Sequence, residues 1–302
     1  MNAPRRFKLI ACEILFREVC HCAARSRSIV DVVFMPKGLH DIGESKMSTQ
    51  LQAEIDAVDT SRYEAILLGY GLCNNGLRGL HSSLPLVVPR AHDCITLLLG
   101  SKEKYAAYFQ ENPGTFFLSP GWVERDTHPN DNRDSITTQL GMNRTYQEYV
   151  AKYGEENARY LMEMLGDWVK HYKRLAYIDT HVGDSQACQE HAKAEAQERG
   201  WEYEEIQGST TLLMHLLDGE WDSEAFLVIP PAGTLTPTYD DKVIGITCDL
   251  AMSTLKSAPR QPSTCKKSTD TYHHQSGEPT TTIRPDLNGL YGIRLVRRMS
   301  SM

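Results

Sequence analysis

The sequence predicts an α/β protein with two Rossmann-like blocks of mostly parallel sheet, a helical connector and a disordered C-terminal tail. Short apolar runs alternate with helical patterns, which is the rhythm of a parallel sheet with crossover helices. The alternation of apolar runs and helical patterns is interrupted once and then resumes, which indicates two blocks. A chain of 302 residues is long enough to build such cores without disulfides. The predicted boundaries are 1–125 for the first block, 126–173 for the connector, 174–250 for the second block and 251–302 for the tail.

Five apolar runs predict the strands of the first block, and the patterns between them predict its helices. The strands are expected at residues 7–12, 28–34, 65–69, 86–89 and 115–118. The helices are expected at residues 13–24, 48–58, 75–80 and 95–109. Three of the strands lead directly into a predicted helix, and a cysteine lies at each of these three junctions.

The remaining chain contains a connector, a second alternating block and a tail. An aromatic and apolar stripe at helical spacing predicts packing helices between residues 146 and 172. Strands are then expected at residues 175–178, 201–206, 225–229 and 243–246, with helices at residues 185–199 and 210–217. Beyond residue 252, periodicity gives way to Ser, Thr, Pro, His and Lys, which predicts disorder.

The charge distribution argues against a nucleic-acid partner. The net charge is −7, yet the last 52 residues hold eight Lys and Arg against three Asp and Glu, so the main body is more acidic still. Phosphate binding needs clustered basic residues. No run reaches the roughly 20 apolar residues of a membrane span, and Lys8 and Glu13 interrupt the N-terminal apolar run. We therefore expect a soluble, cytoplasmic protein with no membrane partner, in which the eight cysteines are thiols or metal ligands.

Cys12, Cys73 and Cys94 share one local position, at the carboxyl end of an apolar run and the predicted start of a helix. All carboxyl ends of a parallel sheet lie at one edge, so the three thiols are predicted to converge. Three protein ligands leave one exchangeable position on zinc, or one free iron in a [4Fe–4S] cluster. The sequence therefore predicts a metal site, with zinc and [4Fe–4S] both open. Metal-free reactive thiols and purely structural cysteines are the alternatives.

Further site residues are predicted around these thiols. Glycines in the loop that carries the second thiol let backbone approach a cofactor closely, and they are Gly69, Gly71 and Gly76. His92 stands two residues before the third thiol and is interpreted as a fourth ligand, a proton donor or a helix cap. A loop His-Asp pair, His40 and Asp41, is a candidate for general acid–base catalysis.

Five segments resemble one prokaryotic family, domain of unknown function 1638. They read LIACE at residues 9–13, PKGLHD at 36–41, LGYGLCNNGL at 68–77, PRAHDCITLLLGS at 89–101 and SPGW at 119–122. The resemblance implies a role in methyl-group or corrinoid-linked metabolism, with a methyltransferase system as partner. The three-thiol arrangement is also similar in concept to quinolinate synthase and diphthamide-type enzymes, in which three cysteines from separate α/β units hold one [4Fe–4S] cluster.

These observations together predict a soluble metalloprotein that acts on a small molecule at the three-cysteine site, as a metal-dependent transferase or lyase. The alternative is a non-catalytic protein that delivers or senses a metal or cofactor, which would use the same cysteines.

Overall fold

The computed structural model describes residues 3–42, 44–126, 172–238 and 240–248, together with positions 150, 154 and 155. The predicted tail lies outside these residues, and so do the predicted connector helices except at positions 150, 154, 155 and 172. Residues up to Cys248 form one compact unit, and the second unit, Asp249–Met302, falls entirely outside the description. No helix among the described residues is both long and apolar enough to cross a bilayer.

Ten strands and seven α-helices are described. The strands are β1 (Arg6–Cys12), β2 (Ile29–Met35), β3 (Ala65–Gly69), β4 (Leu86–Pro89), β5 (Thr115–Leu118), β6 (Arg174–Asp179), β7 (Glu202–Gln207), β8 (Phe226–Ile229), β9 (Gly233–Pro237) and β10 (Ile244–Cys248). The helices are α1 (Phe16–Arg25), α2 (Glu44–Asp56), α3 (Cys94–Leu99), α4 (Lys102–Glu111), α5 (Pro120–Asp126), α6 (Gln186–Arg199) and α7 (Thr211–Asp218). Short 3-10 helices cover Glu13–Leu15 and Lys37–Ile42.

The strands form two mostly parallel sheets and a hairpin, which confirms the predicted α/β class. The first sheet has the order β2-β1-β3-β4-β8, with only β8 antiparallel to its neighbour. The second sheet, β5-β6-β7, is parallel throughout. Strands β9 and β10 pair as an antiparallel hairpin. The first sheet reverses direction of winding between β1 and β3, and ligands of open α/β sheets bind at such a point.

The first sheet is buried on both faces, as parallel sheets require. Phe7 and Leu9 of β1 point into one core with α1, α3 and α7. Ile10 and Cys12 point into the other core, which α2 and the β9-β10 hairpin cover. Every residue of β3 and β4 is buried. The apolar runs at residues 65–69 and 86–89 are therefore strands, as predicted, and both lie inside the sheet.

Two strands cross the predicted boundary between the blocks. β5 pairs with β6 of the second sheet, and β8 pairs with β4 of the first. Direct contacts also join the two sheets: Glu18 of α1 accepts a 2.7 Å hydrogen bond from Thr180 after β6, and Arg17 pairs with Glu124 of α5. The carboxyl end of the second sheet thus packs against the segment that follows Cys12.

Two predicted helices are wrong in detail. No helix forms at residues 75–80, where the chain makes successive turns. The helix expected at residues 95–109 is two helices, α3 and α4, because Gly100 ends α3 in the left-handed conformation at φ 84°. The hairpin strand β9 and helix α5 were not predicted; each is short, and short segments carry little periodicity.

Candidate metal centre

The three cysteines follow three neighbouring strands of the first sheet. Cys12 ends β1, Cys73 lies in the loop after β3, and Cys94 begins α3 after β4. Since β1, β3 and β4 are adjacent in the strand order, their carboxyl ends meet at one edge. The structure therefore brings together the three loops that the sequence had marked separately.

Glycines allow these loops to approach one another closely. A Cβ on Gly69 would lie 2.7 Å from the Cβ of Ala11, the residue before Cys12. A Cβ on Gly71 would lie 2.5 Å from the backbone nitrogen of Asp93, the residue before Cys94. Both glycines therefore hold the second cysteine loop against its neighbours.

Backbone hydrogen bonds fix the second and third loops together. The Leu72 amide donates to the carbonyl of Ala91 at 2.8 Å, and the Cys73 amide donates to the carbonyl of His92 at 2.9 Å. These bonds extend the pairing of β3 and β4 beyond the strands themselves. The position of Cys73 relative to Cys94 is thus set by main-chain contacts.

The loop then turns in an unusual backbone conformation. Cys73, Asn74 and Asn75 have φ values of 45°, 55° and 65°, so three successive non-glycine residues are left-handed. Asparagine tolerates this region, whereas cysteine has no such preference. A residue in the left-handed conformation costs roughly 1–2 kcal/mol, and strain of this kind is concentrated at functional sites. This conformation replaces the helix start that the sequence had predicted at Cys73.

Asp93 organises the approach to Cys94. It is the N-cap of α3, and its carboxylate accepts hydrogen bonds from the amides of Ile95 and Thr96. The Tyr105 hydroxyl donates to the same carboxylate at 3.1 Å. Asp93 therefore fixes the first turn of α3, of which Cys94 is the first residue.

Cys12 is the most deeply buried of the three cysteines. It is 4% exposed and precedes the short helix Glu13–Leu15. Lys37, which is also 4% exposed, places a positive charge near the thiol, and its amide donates to Glu13 at 2.7 Å. Lys37 lowers the cost of a thiolate at Cys12, whereas the neighbouring Glu13 carboxylate raises it.

The thiols influence one another electrostatically. Burial raises the pKa of Cys12 to about 12. Burial also raises the pKa of Cys73, with Asp93 and Cys12 adding to the effect. The pKa of Cys94 is raised well above its usual value by burial, and then by Asp93, Cys73 and Cys12. All three groups are therefore neutral thiols at neutral pH in the protein alone, and each is within electrostatic reach of the other two.

The three thiols are of the donor type that soft metals prefer. They lie with the buried Lys37 at one edge of the sheet, and thiolates bind zinc and iron–sulfur clusters. Within the described residues, no three His, Cys, Asp or Glu side chains already stand at metal-binding geometry. Metal binding would therefore require the thiols to rotate toward the ion and to lose their protons.

The other predicted site residues are distributed differently. The His92 side chain is exposed, and its carbonyl holds the Cys73 amide. His40 and Asp41 belong to the short helix Lys37–Ile42, and their side chains lie outside the described residues. Gly76 packs against Met47 of α2, where a Cβ would lie 2.2 Å from the sulfur. The three glycines Gly69, Gly71 and Gly76, which were predicted to let the backbone approach a cofactor, each lie close to other protein atoms.

Sequence reasoning missed two residues of this cluster. Tyr70 lies between Gly69 and Gly71, is 2% exposed and interacts with the thiols of Cys12 and Cys73. The signal that could have found it is an aromatic residue flanked by two glycines directly after a fully buried strand. Lys37 is the other, and it belongs to the PKGLHD segment that carried the family resemblance.

Comparisons with known proteins identify one family. No curated protein and no solved structure is significantly similar to the chain. One family model, described as protein of unknown function (DUF1638), matches residues 34–217. The match includes Cys73, Cys94 and Lys37, and it begins after Cys12. Since it covers more than half of the sequence, the chain belongs to the DUF1638 family.

Proposed function

We propose that the protein binds a metal through Cys12, Cys73 and Cys94 and acts on a small molecule at that centre. The observation that carries the proposal is the placement of three cysteines at the ends of three adjacent strands, close enough for Cys73 and Cys12 to affect the pKa of Cys94. Zinc would supply Lewis acidity at its exchangeable position, and a [4Fe–4S] cluster would supply an iron atom open to a ligand.

Charge balance supports this proposal. Three thiolates with Zn²⁺, or with a [4Fe–4S]²⁺ cluster, leave one net negative charge, which is costly in a buried site unless a cation stands nearby. Lys37 is buried near Cys12 and would offset that charge.

The strained loop gives a second line of support. The left-handed turn at Cys73 is held by the amide bonds to Ala91 and His92 and by the close contact of Gly71 with Asp93. If Cys73 is a ligand, this conformation would serve to hold its sulfur near the two neighbouring loops. The family resemblance makes methylated and corrinoid-linked small molecules the first substrates to assay.

The test is metal content after anaerobic purification, measured by elemental analysis and absorption spectroscopy on the wild type and on single Cys→Ser variants. Cys12→Ser, Cys73→Ser and Cys94→Ser should each lose most of the metal. Cys188→Ser is the matched control, because Cys188 is a buried cysteine of α6 that packs in the core of the second sheet.

The spectrum distinguishes the two metals, since zinc is colourless and an iron–sulfur cluster is brown and lost in air. Equal metal content in all four variants would overturn the proposal. A metal that is retained while no turnover of any candidate small molecule occurs would favour a protein that delivers or senses the metal.

A further inference from the structure

Tyr70 is placed where the three cysteine loops meet. It follows β3 directly, is 2% exposed and packs in the same core as Cys12 and Leu77. Its neighbours Gly69 and Gly71 are the two glycines that press this loop against the segments before Cys12 and Cys94. The ring therefore packs in the core that also holds Cys12 and Cys73.

The hydroxyl of Tyr70 is buried and has no hydrogen-bond partner within hydrogen-bonding geometry among the described residues. Buried polar atoms are nearly always paired, so an unpaired hydroxyl beside two candidate metal ligands has a donor that a thiolate would satisfy. The groups beside this hydroxyl are the thiols of Cys12 and Cys73, which, after burial, contribute to raising the pKa of Tyr70.

We propose that Tyr70 is a positioning residue of the candidate metal centre, whose hydroxyl donates a hydrogen bond to the Cys12 sulfur when that sulfur binds a metal as a thiolate. This inference rests on the proposed function. A neutral thiol is a weak acceptor, whereas a thiolate accepts a strong, charge-assisted bond. The hydroxyl already interacts with the Cys12 thiol in the metal-free protein, but outside hydrogen-bonding geometry. It would thus make its strong hydrogen bond only to the metal-bound thiolate.

The chain offers a closely matched control. Tyr177 of β6 is likewise fully buried, and its hydroxyl also lacks a partner within hydrogen-bonding geometry. It interacts with Cys188 in the second sheet, far along the chain from the three-cysteine cluster. Tyr70→Phe and Tyr177→Phe therefore remove the same atom from equally buried rings, one at the candidate centre and one elsewhere.

The experiment is titration of the metal-free, full-length protein with Cd²⁺, followed through the ultraviolet absorption of the cadmium–thiolate bonds. Tyr70→Phe should weaken Cd²⁺ affinity by about 10–100-fold, the usual effect of removing a partner of a metal ligand. Tyr177→Phe should bind as the wild type does. Both variants should melt near the wild-type temperature without metal, because neither loses a hydrogen bond of good geometry.

A second measurement needs no folded Tyr70 variant. Cd²⁺ should perturb the near-ultraviolet tyrosine absorption of the wild type, because a phenol acquires a hydrogen bond, and Tyr177→Phe should retain this perturbation. Equal Cd²⁺ affinity in Tyr70→Phe and wild type, or no tyrosine perturbation in the wild type, would overturn the role of Tyr70 while leaving a three-thiol site intact. Absence of any cadmium–thiolate absorption in the wild type would overturn the proposed function itself, and the role of Tyr70 with it.

Discussion

Gly71→Ala is the substitution that tests most directly how the cysteine loops are held together. The φ of Gly71 lies outside the left-handed region, so alanine meets no backbone strain there. Its Cβ would however lie 2.5 Å from the nitrogen and 2.6 Å from the Cα of Asp93. Ordinary carbon contacts need about 3.5 Å, so the two loops must separate by roughly 1 Å.

We expect this separation to cost about 1–3 kcal/mol, the usual range for overpacking against atoms that cannot rotate away. In a chain of this size, 1 kcal/mol lowers the melting temperature by roughly 2–4 °C, so a fall of roughly 3–10 °C should be seen by differential scanning calorimetry. Metal content of the purified variant should fall as well, because Cys73 and Cys94 move apart.

Gly245→Ala in β10 is the control. A Cβ there would meet the Thr238 methyl group at 2.9 Å, which is the end of a side chain. Its melting temperature should change little, and its metal content should match that of the wild type. If Gly71→Ala melts and binds metal as the wild type does, close contact of these loops is not what positions the thiols, and the reasoning fails.

Three further predictions concern neighbouring residues. Burial raises the pKa of Glu18, so the folded state keeps the carboxyl proton to higher pH than the unfolded state does. The free energy of unfolding therefore falls as the pH rises from the unfolded to the folded pKa. Glu18→Gln should melt at a higher temperature than the wild type at neutral pH, and the difference should vanish near about pH 4. If the difference in melting temperature between the variant and the wild type instead grew as the pH fell, the predicted effect of Glu18 would be contradicted. Asp93→Ala should lose about 0.5–2 kcal/mol with the cap of α3, whereas Asp93→Asn, which keeps an acceptor oxygen, should lose less in urea unfolding. His92→Ala should leave metal content unchanged, because its side chain is exposed and its carbonyl holds Cys73; loss of metal would make His92 a ligand.

Local sequence patterns were sufficient for most of the strands and for the identity of the family. β3, β4 and β5 have the predicted bounds because each is a short apolar run stopped by glycine, proline or polar residues. The position of the three cysteines at strand ends also follows from these runs alone, since a residue after a buried strand must lie at the sheet edge. The family resemblance rested on short segments around the same positions.

The conformation of the second cysteine loop could not be predicted in this way. Residues 75–80 have helical spacing, yet the chain turns because the Leu72 and Cys73 amides pair with the loop after β4. Helical propensity is a weak preference, and contacts made by distant residues override it. Gly69 and Gly71 showed their role only once their neighbours Ala11 and Asp93 were known.

The sequence by itself determined that this is an α/β protein with three cysteines at strand ends, because alternation of apolar and polar residues is a property of neighbours in the chain. Only the tertiary structure decided that β1, β3 and β4 are adjacent, that β5 and β8 each join the other sheet, and that Tyr70 faces the thiols. Strand order depends on which buried faces pair across long stretches of chain. Burial and hydrogen-bond satisfaction over the whole fold select that pairing, and no local pattern records it.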